Sequence, residues 1–182
     1  MTTLVLAGVL IAAPMIVEAR RAARNERAQL ARGGVEPADD VYQWMRVAYP
    51  GAFIAMLVEG WWRGGASPLV LGAGLFCFAA GKLLKWWAIL SLGPFWTFRV
   101  VVVPFEPLVT RGPYRWLRHP NYVGVVLELI GAGLMTGAAV LAPVVSVLFG
   151  ILILRRIEVE NRALESATRH ARGAYNRAER SN

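Results

Sequence analysis

Residues 107–122 read PLVTRGPYRWLRHPNY, a polar, basic and aromatic run set between apolar segments. The run holds Pro107, Pro113 and Pro120, the basic or titratable Arg111, Arg115, Arg118 and His119, and the aromatics Tyr114, Trp116 and Tyr122. Pro120 suits the first turn of a helix, where its missing N–H costs nothing. The N-terminus of that helix would offer an anion free backbone N–H groups near Asn121 and Tyr122 and the favourable end of the helix dipole, with Arg118 and His119 beside it. The stretch can therefore form one wall of a cofactor site, and it can equally anchor a loop to lipid phosphates. A second pair, Arg156 and Glu160, lies about one helical turn apart and so on one helix face. By spacing alone it is either the solvated start of a helix or the opposite wall of the same site.

The elements that position these residues follow from composition. The chain has 182 residues, 56% of them hydrophobic, and a mean hydropathy of +0.44. That is enough for one domain, and it is too apolar for an ordinary soluble one. Residues 3–17 form a first apolar span, whose helix continues amphipathically to about residue 30 and stops at Arg32-Gly33-Gly34. Residues 35–42, acidic and polar with Pro37, form a surface loop. Residues 47–62 are a second span, with Pro50-Gly51 near its start and Trp61-Trp62 at an interface. A turn at 64–68 leads to a third span over 69–90. Its small residues Gly72, Gly74, Ala79, Ala80 and Gly81 suit close helix packing. Residues 91–120 lack a helical period and hold Pro94, Pro104, Pro107, Pro113 and Pro120, with 100–103 briefly extended. Residues 121–137 and 140–154 form a hairpin of two short spans around Gly137. The last helix runs on past Arg155, with Glu158 and Arg162 in the favourable i,i+4 order, into a basic, frayed tail.

The expected fold is thus all-α: a polytopic integral membrane protein of about five transmembrane helices. It is a single domain over 1–182, with a three-span scaffold at 1–91 and a catalytic half at 92–175. With the N-terminus outside, every basic residue except Arg63 falls on the cytoplasmic side, among 20 Lys+Arg and a net charge of +8. This basic face fits membrane lipids, and no fold motif points to nucleic acid. The hairpin returns Glu160 to the level of His119, which favours a shared cytoplasmic pocket. Glu128 lies two turns into an apolar span, so it must be neutral, paired or facing water, with Lys82 or Lys85 as candidate partners. Glu59 reads as structural. Phe95, Trp96 and Phe98 read as interfacial packing or as a stacking surface for an adenine. Cys77 is alone and cannot form an intrachain disulfide. The absence of a G-x-G-x-x-G after a strand, of a P-loop and of a Cys/His cluster excludes a soluble Rossmann-type enzyme and a zinc site.

PLVTRGPYRWLRHPNYVG, followed by RIEVENRAL and RGAY and preceded by LGPFWTFRVVVVP and ARGGVE, resembles the isoprenylcysteine carboxyl methyltransferase family, closest to its small bacterial members. The resemblance implies a membrane enzyme using S-adenosyl-L-methionine in a cytoplasmic pocket. Matched by motif, Pro107, Leu108 and Val109 would line the cofactor, Tyr114 would pack near it, and His119, Pro120, Asn121 and Tyr122 would form its wall. Glu160 would contact its polar groups, and Arg156 would orient the acidic oxygen of the substrate. No metal is implied. The family's second adjacent glutamate is replaced by Asn161, for which Glu158 is the nearest compensating carboxylate.

The resemblance further implies a lipophilic small-molecule substrate methylated on an acidic oxygen. This is an alkylpyrone or alkylresorcinol made by a type III polyketide synthase, or an isoprenylcysteine-like carboxylate. Membrane sterol reductases using NADPH share an R-H-P-N-Y-like piece, but the chain is short for them, and Gly124 is followed by Val125 where they usually carry an acidic residue. A non-enzymatic membrane scaffold is the third reading.

Overall fold

A computed structural model describes residues 2–180, with side chains through 167 and at 169. Among the described residues it has five α-helices, two 3-10 turns and no strand. The helices are α1 (Thr2–Ala31), α2 (Tyr42–Arg63), α3 (Pro68–Leu92), α4 (Pro120–Thr136) and α5 (Leu141–Arg180). Their ends fall where the sequence carries stop signals. Gly64 and Gly137 close α2 and α4 in the left-handed region, at φ 85° and 73°, each donating its N–H back to the last turn. Pro68 and Pro120 open α3 and α4.

α3 and α4 pack backbone to backbone. A Cβ placed on Gly131 would lie 2.4 Å from the Phe78 nitrogen, and one on Gly81 would lie 2.8 Å from the Gly124 oxygen. Gly74 makes a third such contact, at 2.5 Å from the Met135 nitrogen, whereas Gly72 faces open space. The small-residue pattern of the third span therefore marks a real contact face, with Gly72 outside it. The α4–α5 hairpin is pinned from α2. Glu59 accepts the free N–H groups of Val140 (3.0 Å) and Leu141 (2.6 Å) and an ion pair from Arg63 (2.7 Å), which is the structural role expected of it.

The core is apolar, yet it also encloses charges, and much of the exterior is apolar too. Met56, Leu129 and Met135 are buried, but so are Glu18, Lys85 and Glu128, while Trp62 and Leu69 are 85% and 84% exposed. Such an exterior is favourable against lipid and costly against water. α1 and α3 are long and apolar enough to cross a membrane, and α4 is a shorter apolar helix of 17 residues. Both features are consistent with a membrane protein.

Four charged residues balance within one cluster. Lys82 lies 2.9 Å from Glu18 and 3.0 Å from Glu128, and Lys85 lies 2.6 Å and 3.5 Å from the same two carboxylates. Tyr49 donates its hydroxyl to Glu128. Glu128 is thus paired with both expected lysines. Glu18, at the end of the first apolar run, is a partner that sequence did not indicate.

Three expectations change in the structure. The extended stretch at 100–103 is reduced to a single antiparallel bridge between Val35 and Val102. α5 continues through Arg180 in place of a frayed tail, with Glu165 and Arg169 paired at 3.6 Å along its face. Glu158 turns back to Arg155 at 3.5 Å, and Arg162 reaches Asp39 on the α1–α2 linker, so the i,i+4 pair gives way to a tertiary one. In the RGAY motif, the side chains of 172–175 lie outside the described residues.

Candidate active site

The proline-rich stretch folds as two tight turns against the end of α3. Gly112 takes φ 62°, and a Cβ there would sit 2.0 Å from the Ser91 hydroxyl, so the turn at Gly112–Arg115 requires glycine. Arg111 ties the same turn to the Ser91 carbonyl at 3.0 Å. The turn carries Tyr114 inward. Pro120 is fully buried as the first residue of α4, with His119 as the residue before the helix. The Tyr122 N–H donates to the His119 carbonyl at 3.1 Å, so it is not free for an anion as the sequence reading expected. Tyr122 contributes instead through its hydroxyl.

α5 brings its polar face to this point. Tyr122 donates to Glu160 Oε2 at 3.0 Å, and His119 Nδ1 lies 3.8 Å from the same oxygen. Arg156 donates from Nε to the Tyr122 hydroxyl at 3.2 Å, from Nη1 to Asp40 and from Nη2 to the Phe98 carbonyl. One phenol therefore links the two residues one turn apart on α5. Burial alone would push the Arg156 guanidinium down, but Tyr122 and Asp40 outweigh it and hold the group above its ordinary value. Burial, aided by the Glu160 charge, pushes the Tyr114 phenol well above its ordinary value and keeps it neutral.

Two cavities flank this linkage. The first, about 350 Å³, is lined by Pro107, Leu108 and Val109 from the loop, by Tyr114, by His119, Asn121 and Tyr122, and by Glu160. Of the residues expected to hold a cofactor, only Pro120 lies outside its lining, where it serves as packing beneath the wall. Arg118 and Asn161 also line it. Glu158 does not compensate for Asn161, because it is more than half exposed and pairs with Arg155. The second cavity, about 450 Å³, is bounded by Met15, Ala19 and Ala23 of α1, by Met45 of α2 and by Phe149 of α5, with the Glu18–Lys85 pair on its side. Trp96, Thr97, Asn121, Tyr122 and Arg156 line both cavities and form a shared wall. Trp96 is 3% exposed and donates to Asn121 at 3.2 Å, so it belongs to the site and not to a lipid interface.

Asp40 and Glu18 were missed by sequence reasoning. Asp40 sat in a stretch whose polarity suggested only a surface loop, and Glu18 had an innocuous explanation at a helix exit. Among the described residues no group of His, Cys, Asp and Glu could hold a metal ion.

The sequence model of the isoprenylcysteine carboxyl methyltransferase family matches residues 73–166. The uncharacterized protein YpbQ of Bacillus subtilis is 29% identical over 153 residues, covering 79% of this chain and 86% of that protein. The cobalt-zinc-cadmium resistance protein CzcN of Cupriavidus metallidurans is 30% identical over 109 residues, covering 60% of this chain and 45% of its own. Protein-S-isoprenylcysteine O-methyltransferase A of Arabidopsis thaliana is 29% identical over 112 residues, 60% of this chain and 48% of that protein. No solved structure matches the chain.

Proposed function

The chain belongs to the isoprenylcysteine carboxyl methyltransferase family and is a membrane methyltransferase, and on that premise we propose that it carries a methyl group from S-adenosylmethionine to an acidic oxygen of a lipophilic, long-chain acceptor. The observation that supports this reading is the shared wall. A cavity with the larger share of polar surface and a more apolar one meet across Trp96, Thr97, Asn121, Tyr122 and Arg156. A transfer between a water-soluble donor and a lipid-like acceptor needs two such compartments in contact.

The first cavity suits the donor by its own chemistry. Its volume lies within the range of small-molecule sites. Glu160 and Asn161 offer acceptors for ammonium and hydroxyl groups, while Tyr114 and Trp96 offer aromatic faces. When bound, S-adenosylmethionine would supply an activated methyl to the acceptor anion: the O–CH₃ bond would form as the S–CH₃ bond breaks, leaving a neutral thioether, and an enol or phenol would give its proton to solvent before the transfer.

The chain's own residues do the rest. Glu160, oriented by Tyr122, holds cationic groups of the donor. Arg156 binds the acceptor oxygen and favours its anion, an effect strengthened by burial. The enclosing walls align the two reactants and keep out water. The acceptor is an enol or phenol of the alkylpyrone or alkylresorcinol kind, the product of a type III polyketide synthase, or an isoprenylcysteine-like carboxylate, with its tail in the second cavity. With five spans and the N-terminus outside, every basic residue except Arg63 would fall on one side, and this supports a multi-pass chain with the site facing the cytoplasm.

The test is direct. S-adenosylhomocysteine should raise the melting temperature of the purified protein in detergent, NADP should not, and labelled methyl should enter a lipid extract. Arg156→Ala should abolish transfer while sparing donor binding, and His119→Ala and Glu160→Ala should weaken donor binding itself. Stabilisation by NADP alone, or unchanged donor affinity in both pocket variants, would overturn the reading.

A further inference from the structure

The α1–α2 linker lies across the site as a strap. Val35 pairs with Val102, Glu36 lies 2.8 Å from Arg99, and Asp39 reaches Arg162 on α5. Asp40, which follows these contacts, is held by two backbone donors. Its Oδ1 accepts the Tyr42 N–H at 3.0 Å and its Oδ2 accepts the Val100 N–H at 2.9 Å. Two backbone donors from different parts of the chain thus fix the plane of the carboxylate, and that carboxylate in turn receives Arg156 Nη1. The Asp40 side chain is 12% exposed and that of Arg156 5%, so the pair is shielded from water.

A guanidinium has five N–H donors in a rigid fork. Among the described residues, Tyr122, Asp40 and the Phe98 carbonyl engage one on each of its three nitrogens. This arrangement sets the direction of the remaining N–H on each Nη nitrogen, in a group that lines both cavities. Released from Asp40, the long side chain would regain its rotamers and the fork would lose its aim.

We propose that Asp40 is the positioning residue of the methyl transfer: it acts through Arg156, holding the guanidinium in the shared wall so that its remaining donors meet the acceptor oxygen. The proposal rests on the methyltransferase reading above. It assigns a task to the half of the chain that precedes the family match at residues 73–166.

The experiment uses the full chain reconstituted in lipid nanodiscs, with labelled S-adenosylmethionine and a lipid extract as acceptor source. Asp40→Asn keeps the size and one acceptor oxygen and removes the charge facing Arg156. Turnover at saturating donor should fall at least tenfold, while the donor KM and the melting shift given by S-adenosylhomocysteine stay within twofold of the parent. Asp39→Asn breaks only the exposed pair with Arg162 and should keep turnover within twofold. If Asp40→Asn does not accumulate, Asp40→Glu keeps the charge and displaces it by one methylene, and the same split between turnover and donor KM is expected. Parental turnover in the Asp40 variant, or a loss of donor binding in proportion to turnover, overturns the proposal and leaves the methyltransferase reading standing. Failure of the parent chain to transfer label overturns both.

Discussion

Tyr122→Phe removes one oxygen atom and leaves the ring, and among the described residues that oxygen joins Arg156 to Glu160. In the parent it accepts from Arg156 Nε at 3.2 Å and donates to Glu160 Oε2 at 3.0 Å. The two losses differ in weight. Glu160 is one-third exposed, so water can replace the phenol and its share is discounted toward zero. Arg156 is buried, and its Nε would lose its acceptor with little water at hand. A hydrogen bond to a charged group is worth about 1.5–3 kcal/mol. In a chain of this length each kcal/mol corresponds to about 2–4 °C of melting temperature, so the variant should melt about 3–12 °C lower.

Asp40 and the Phe98 carbonyl keep the guanidinium roughly in place, so the acceptor side should suffer less than the donor side. With its hydrogen-bond donor gone, Glu160 should swing, and S-adenosylhomocysteine should bind about tenfold more weakly, a change of about 1.4 kcal/mol. Thermal melts and calorimetry in detergent read both quantities. A melting temperature within 1 °C of the parent together with unchanged affinity would show that the phenol does not connect the two side chains and would refute the reasoning.

Three further outcomes follow from the same structure. Glu18→Gln leaves two lysines facing one carboxylate in a buried cluster and should destabilise the chain by about 3–5 kcal/mol; adding Lys85→Met restores neutrality and should regain part of that loss, and strict additivity in thermal melts would argue against the cluster. Gly131→Ala forces α3 and α4 apart and should cost about 1–3 kcal/mol, while Gly72→Ala, inside the same helix with open space around it, should not lower the melting temperature; equal effects would contradict the packing. The Tyr114 phenol titrates higher in the folded chain than in the unfolded one, first because it is buried and then because of Glu160. As pH rises past about 10 the unfolded chain loses this proton first, so stability falls from there until the folded phenol also ionises. The melting temperature should therefore drop more steeply above about pH 10 in the parent than in Tyr114→Phe.

Much of this arrangement was legible because membrane segments follow few rules. Long apolar runs, glycine stops and a proline opening α4 placed α1, α3 and α4 to within a few residues, while α2 starts earlier and α5 runs further than the apolar runs indicated. The hairpin then forced Glu160 toward His119. Glu128 announced its lysine partners because a lone carboxylate in an apolar span is untenable. Asp40 announced nothing. Its partner Arg156 is 116 residues away, and the composition of the linker is satisfied equally by water and by a tertiary ion pair. The fate of the Tyr122 N–H was hidden for a related reason: the tightness of the first turn of α4 decides whether that donor bonds to His119 or is left for a ligand. Sequence spacing is silent on that geometry.

The division between the two cavities limits what family likeness can carry. Every residue lining the first cavity lies between Leu92 and Leu164, inside the matched segment 73–166. The second cavity draws much of its wall from α1 and α2, which precede that segment. Likeness to a methyltransferase that acts on isoprenylcysteine therefore bears on the donor side and on the shared wall, and it stops short of the surfaces an acceptor tail would touch. Arg156 stands in the matched half, but the carboxylate that aims it is in the other. On the proposed reading, a change in the first 72 residues could alter which acceptor is methylated without touching any residue that holds the donor, and Asp40 is the point at which the two halves must still agree.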